Sequence, residues 1–228
     1  MADNETAREQ QIVKKALKLF SQTGYQSTSL QDIADELGIT RPAFYYYFKS
    51  KDDLLWRLIG NLGDQLLAEA LPIVNRDGTS EDKLRKLLIA HTRQILRNVD
   101  AFRIYFAERH LVGRSRDQRL RKGESRYVRL FEMLIKSGQV SGAMRDGDER
   151  VLALMVIGLT NSVLRWYRPA GNLSVDDLSE IVADLGVNSL RRSQLGPNGS
   201  TGKSRDNEVK AGRSLRSKAA RRVDRRSE

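Results

Sequence analysis

The segment from Thr28 to Lys51, TSLQDIADELGITRPAFYYYFKSK, restricts the fold more than any other part of the chain. Thr28 precedes Gln31 by three residues, the spacing of a capping box, in which side chains supply acceptors for the free N–H groups of a first helical turn. Leu30, Ile33, Ala34 and Leu37 then recur at i, i+3, i+4 and i+7, which predicts an amphipathic helix with one buried face, and Gly38 provides a left-handed C-terminal cap. After Gly38 and Ile39, Thr40 is placed to cap a second helix with Pro42 in its first turn, where a missing N–H costs nothing. Two short helices joined by so tight a turn make a helix-turn-helix. Advancing about 100° per residue puts Phe44 and Phe48 on one face and Pro42, Ala43 and Tyr46 opposite them. The second face has no role in a core. In helix-turn-helix proteins it enters the major groove of DNA.

A preceding helix is expected from about Glu9 to Thr23, with Ile12, Ala16, Leu19 and Phe20 on its apolar stripe. Packed on the helix-turn-helix, it would share a core of Phe20, Ile33, Leu37, Phe44 and Phe48. The run from Ile12 through Ala16, Leu19, Phe20 and Gly24 to Thr28, then Ile33, Ala34, GITRPAFYYYF and Lys51 with Leu54, resembles the DNA-binding domain of the tetracycline-repressor (TetR) family. The resemblance implies phosphate contacts from Thr28, Tyr45, Tyr46 and Lys51, and base contacts from Thr40, Arg41, Pro42 and Ala43 with one of the aromatics. Pro42 stands where many members have glycine.

A chain of 228 residues, 39% of them hydrophobic, can build a packed core. It has no cysteine and two histidines, His91 and His110, which excludes a disulfide framework and a thiolate zinc site and argues against a metal sensor. No metal and no cofactor are expected. The N-terminus lacks an apolar leader, and the longest uncharged run, Val151 to Leu164, falls short of the roughly 20 residues that span a bilayer. The expected location is cytoplasmic and nucleoid-associated, with no membrane partner. Of the net +11, +8 lies from Arg191 to Glu228, whereas Met1 to Arg57 is neutral overall. The reader must therefore rely on where its donors stand rather than on how many it has.

Beyond the motif, a long helix from Asp52 to about Val74 is predicted to connect the reader to the rest of the chain, followed by a turn at Arg76 to Ser80. Ser80 to Val99 forms the next helix, with His91 on its apolar stripe as a satisfied structural histidine. Asp100 is expected to cap a short helix holding Phe102, Ile104, Tyr105 and Phe106, whose aromatics fill a core or line a cavity for an apolar ligand. The basic run from Arg103 to Arg129 reads first as a solvated loop and helix face, and second as a mouth for an acidic ligand group. A helix follows from Glu124 to near Gly138, and another from about Glu149 to Tyr167. The latter is apolar nearly all round and needs cover on both sides, with Gly158 and Ser162 allowing close helix approach. A last helix runs from Val175 to Leu190, and Arg191 to Glu228 reads as a disordered basic tail.

The expected fold is all-α: an N-terminal three-helix helix-turn-helix domain (1–51), a C-terminal helical effector-binding and dimerisation domain (52–190) and the tail (191–228). The resemblance implies a homodimer joined through the last two helices of each chain, a double-stranded palindromic operator and a small-molecule effector. RWYRPAG, Arg165 to Gly171, resembles the C-terminal part of TetR-like regulators that sense acyl-CoA thioesters. The ligand residues expected on this basis are Phe102, Phe106, Arg109, Phe131, Asn161, Arg165 and Trp166. An effector-independent DNA-organising protein on the same fold is the alternative. An enzyme is disfavoured, because the chain holds no G-x-S-x-G, no H-E-x-x-H and no phosphate-binding glycine loop.

Overall fold

The computed structural model describes residues 2–169 and 171–192. Among them the chain forms eleven α-helices: α1 (Ala2–Thr23), α2 (Leu30–Glu36), α3 (Arg41–Tyr47), α4 (Lys51–Ile59), α5 (Leu62–Asn75), α6 (Ser80–Arg97), α7 (Val99–Glu108), α8 (Arg114–Val140), α9 (Glu149–Asn161), α10 (Val163–Trp166) and α11 (Val175–Leu190). A 3-10 turn, Arg109–Leu111, joins α7 to α8. No helix among the described residues is long and apolar enough to cross a membrane.

The helix-turn-helix forms as its side chains dictate, with one shift. Ser29, not Thr28, caps α2: the Ser29 hydroxyl accepts from the Asp32 N–H (3.1 Å), and Asp32 Oδ2 accepts from the Ser29 N–H (2.7 Å). The box is thus Ser29 with Asp32 rather than Thr28 with Gln31. Gly38 is left-handed at φ +62°, letting the Ile39 and Gly38 N–H groups return to the carbonyls of Ala34 and Asp35, both at 3.0 Å. This paired closure ends α2 and turns the chain directly into α3. Thr40 caps α3 through the Ala43 N–H.

Two apolar clusters organise the molecule. One joins Ile12, Phe20, Ile33, Phe44, Phe48 and Leu54 of the first four helices to Val99, Phe102 and Tyr105 of α7 and Val163 of α10. The helix-turn-helix is therefore continuous with the base of the larger helical layer, where α7 packs on α1 and α4. The second cluster is built from α5, α6, α8, α9 and α11 around Leu84, Leu88, Phe131 and Ile135.

Several helices differ from expectation at their ends. α1 starts at Ala2, ahead of the apolar stripe. The long connecting helix is two, α4 and α5, broken at Gly60 and Asn61, where both residues keep right-handed helical angles and only the hydrogen-bond ladder is interrupted. Gly60 is required there, since a Cβ would lie 2.7 Å from the Trp56 carbonyl oxygen. Asn98, not Asp100, precedes α7, and Asp100 sits in its first turn. α8 begins at Arg114, so most of the basic run is helical. The helix from Glu149 breaks at Ser162, whose N–H and hydroxyl both reach the Leu159 carbonyl. Arg191 and Arg192, assigned to the tail, are held: Arg191 pairs with Met144 in a single β-bridge, and Arg192 N–H donates to the Ala143 carbonyl. The remainder of the expected tail lies outside the described residues.

Candidate functional site

The exposed edge of α3 is set by its buried one. Phe44 is fully buried with Phe48 beside it, ring centroids 5.8 Å apart, and this fixes the rotation of α3 about its axis. Thr40, Arg41, Pro42, Ala43 and Tyr45 then lie exposed, and Tyr46 is 70% exposed. Arg41 donates to the Tyr45 hydroxyl at 3.4 Å with its guanidinium 5.6 Å from that ring. The two form one outward-facing unit.

Thr28 and Lys51 sit differently from what the resemblance implied. Thr28 is 3% exposed, its hydroxyl donating to the Gly24 carbonyl and bonded to the Thr23 hydroxyl. It ties the α1–α2 loop together and presents no side chain outward. Lys51 is half-buried: its ammonium donates to the Gln26 carbonyl (3.3 Å) and lies 4.3 Å from the Tyr25 ring centroid. Desolvation there lowers its pKa below the ordinary lysine value. Neither placement shows in a periodicity, because both depend on where Gly24 and Tyr25 turn the chain.

The second site is a partly open cavity of about 480 Å³ lined by α5 to α9. Its walls include Leu66, Phe102, Phe106, Val128, Leu154 and Ile157. The charged groups that reach it are already paired: Arg119 with Asp64, Arg121 with Asp117, Arg150 with Glu132, and Glu124 with Arg109 and the Tyr105 hydroxyl. A more open groove of about 590 Å³, bordered by Arg103, Gly158, Ser162 and Arg165, shares Phe106 and Asn161 with the cavity.

Of the expected ligand residues, Phe102, Phe106 and Asn161 line the cavity and Arg165 lines the groove. Three border neither. Arg109 stands behind the wall, holding Glu124 and Asp117. Phe131 is wholly buried, edge-on to His91 and Tyr127. Trp166 is half-exposed at the end of α10. Aromatic character alone does not reveal the direction a ring faces. Sequence reasoning also missed Tyr127 and Leu154, whose helical spacing marks a buried face but not an empty space behind it.

His91 is 4% exposed and satisfied, with Nδ1 2.9 Å from the Tyr127 hydroxyl and Nε2 3.2 Å from Asn161 Oδ1. Burial pulls its imidazole down to about 4 from an ordinary value near 6.5. Between those two values the unfolded chain takes up a proton that the folded chain refuses, so stability falls as the pH drops through this window. Urea denaturation at pH 7.5 and 4.5 should show the parent losing about 2–3 kcal/mol more than His91→Asn over this interval.

The basic run turns out to be mostly structural anchorage. Arg116 bonds Asp53 Oδ1 (2.7 Å) and the Asp52 carbonyl (3.2 Å), and Arg116 and Arg119 each approach the Trp56 ring to 5.5 Å. Arg103 donates to the carbonyls of Leu164 and Tyr167. The first turns of α8 thus grip α4 on one side and wall the cavity with Arg119, Leu120 and Glu124 on the other.

Comparison with known proteins gives two family matches along the chain. Residues 12–58 match the family described as bacterial regulatory proteins, tetR family, and residues 77–190 match the tetracyclin repressor-like C-terminal domain. The HTH-type transcriptional repressor KstR2 of Rhodococcus jostii is 28% identical over 188 residues, covering 82% of this chain and 92% of that protein. A crystal structure of a TetR/AcrR-family transcriptional regulator from Thermobifida fusca is 37% identical, covers 82% of this chain and all of that one, and superposes with a TM-score of 0.65. AibR, solved with isovaleryl coenzyme A and operator DNA, has a TM-score of 0.69 over 81% of this chain and 98% of its own. At 23% identity that last likeness speaks to the fold alone.

Proposed function

The chain belongs to the tetracycline-repressor family of ligand-responsive, DNA-binding transcriptional regulators, and from that premise we propose that it is a non-enzymatic homodimeric repressor released from a palindromic operator by an acyl-CoA effector. The observation that carries the reading is the division of α3 into a buried Phe44–Phe48 edge and an exposed Thr40–Ala43, Tyr45 and Tyr46 edge. Base contacts are assigned to Arg41, Pro42, Ala43 and Tyr46, with Thr40 and Tyr45 toward the backbone. Lys51 contributes its remaining ammonium protons, and Thr28 acts only by shaping its loop. The protein would work in the cytoplasm, at the nucleoid.

Release follows from the path of α8. A ligand that separates α8 from α5 moves Arg116 and Arg119, and with them Asp53 and Trp56 of α4. α4 follows the reader after only three residues, so its tilt sets the spacing of the two α3 helices across a dimer. An effector needs a differential affinity of about 1–3 kcal/mol for the two states to act this way. The acyl class is supported by the cavity, whose wall includes Leu66, Phe102, Phe106, Val128, Leu154 and Ile157, and by Arg165 on the adjoining groove.

Footprinting should show a protected palindrome in few promoter-proximal sites. Hundreds of dispersed sites would instead indicate a DNA-organising protein. Tyr46→Ala should weaken operator binding by about 1–3 kcal/mol while lowering the melting temperature far less than the loss of a buried Phe44 ring would. Operator affinity equal to the parent's would remove α3 as the reader.

A further inference from the structure

The cavity contains a polar relay that the repressor reading does not use. His91 of α6, Tyr127 of α8 and the terminal Asn161 of α9 meet at its wall. With the Asn161 carboxamide oxygen facing His91, the direction of each proton follows. Asn161 Oδ1 can only accept, so His91 Nε2 carries the hydrogen across their 3.2 Å contact. In the neutral ring Nδ1 is then the acceptor, and the Tyr127 hydroxyl donates to it across 2.9 Å. The oxygen of the Asn161 carboxamide is thereby committed. Its nitrogen, with two N–H donors, makes no hydrogen bond among the described residues.

Asn161 also occupies a particular place. It borders both the cavity and the more open groove, and Phe106 is the other residue common to the two. The charged groups around the cavity are neutralised by their own partners, as above. On a wall where the charged side chains are already paired, with Phe106, Leu154 and Ile157 also lining it, a free amide donor suits an acceptor without charge. A hydrocarbon placed there would leave the N–H groups dry, and a carboxylate would face the Glu124 and Asp64 carboxylates that line the same cavity.

We propose that Asn161 is the specificity-determining residue of the cavity, donating from its amide nitrogen to a neutral carbonyl oxygen of the ligand, with His91 and Tyr127 as positioning residues that hold the carboxamide in this orientation. This rests on the reading that the cavity receives the effector. The ligand class is then a carbonyl compound with its apolar part inside, toward Phe102 and Leu66, and its polar remainder along the groove past Arg165. A site built on a hydrogen bond discriminates strongly against an analogue that lacks the partner atom.

The test uses two matched pairs: hexanoyl-CoA against S-hexyl-CoA, and methyl decanoate against decyl methyl ether. Affinities for the full-length protein are measured by calorimetry, and melting temperatures confirm that each variant is folded. The parent should bind the carbonyl member of at least one pair about tenfold or more tightly over its partner. That ratio should collapse toward unity in Asn161→Asp, which keeps the shape and the acceptor for His91 but removes the donor, and in Asn161→Leu. Tyr127→Phe, which touches the relay only at its far end, should lower the ratio in part. A purely structural role for Tyr127 would weaken both members of a pair equally. Equal binding within both pairs, binding by none of the four compounds, or a ratio that survives Asn161→Asp would overturn the proposal. If the ratios behave as expected while no compound lowers operator binding, the Asn161 assignment stands and the effector reading falls.

Discussion

Met155→Glu is expected to leave the folded chain monomeric and to abolish tight operator binding. Met155 is 65% exposed, and Val151 and Leu154 on the same helix are also exposed. α11 packs against α9 and adds Ile181 and Leu185 to the outer surface. Isolated apolar residues on a surface are ordinary, but a run shared by two adjacent helices is of the kind that covers itself with a second copy. In a two-fold interface the substitution enters twice, placing two carboxylates in an apolar contact. A rise of at least about 100-fold in the dimer dissociation constant follows, on the order of 3 kcal/mol. Sedimentation velocity reads the change directly. An unchanged dimer would place the interface elsewhere on the molecule.

Phe44→Ala should destabilise the protein by about 3–5 kcal/mol, the range for removing a fully buried phenyl ring from a packed core. The ring contacts Phe48 and the edge of Tyr45, and it belongs to the cluster that reaches Phe20 and Ile33. The melting temperature should fall by on the order of 10 °C. Operator binding should be lost with it, because α3 has seven residues and no other buried side chain of its own. The contrast with Tyr46→Ala separates the two edges of one helix. The inner substitution is read in stability and the outer one in affinity. A Phe44 variant that melts like the parent would mean that α3 is not seated by this ring.

The helix-turn-helix was legible because its signals are local. A left-handed Gly38, the Thr40 cap and the Phe44–Phe48 spacing each act within four residues, so neighbours in sequence are also the interacting groups. The shift from Thr28 to Ser29 shows where local reading fails. Two adjacent hydroxyl residues offer the same cap chemistry, and the loop from Gly24, which draws the Thr28 hydroxyl inward, decides between them. The breaks at Gly60–Asn61 and Ser162 were hidden for another reason. The residues there keep right-handed angles, so the apolar period runs on across the interruption.

By itself, the sequence determined an all-helical chain with a helix-turn-helix near its N-terminus, because caps, turns and apolar periods are properties of a few consecutive residues. Tertiary structure alone decided which side chains enclose an empty space. Phe102 and Phe106 border the cavity while Phe131 fills the core, although all three are aromatics on amphipathic helices. It also decided that His91, Tyr127 and Asn161, separated by 34 residues or more, share one chain of hydrogen bonds. The physical reason is that a cavity and a buried polar relay arise from how whole helices are set against one another, which no periodicity along a single helix encodes.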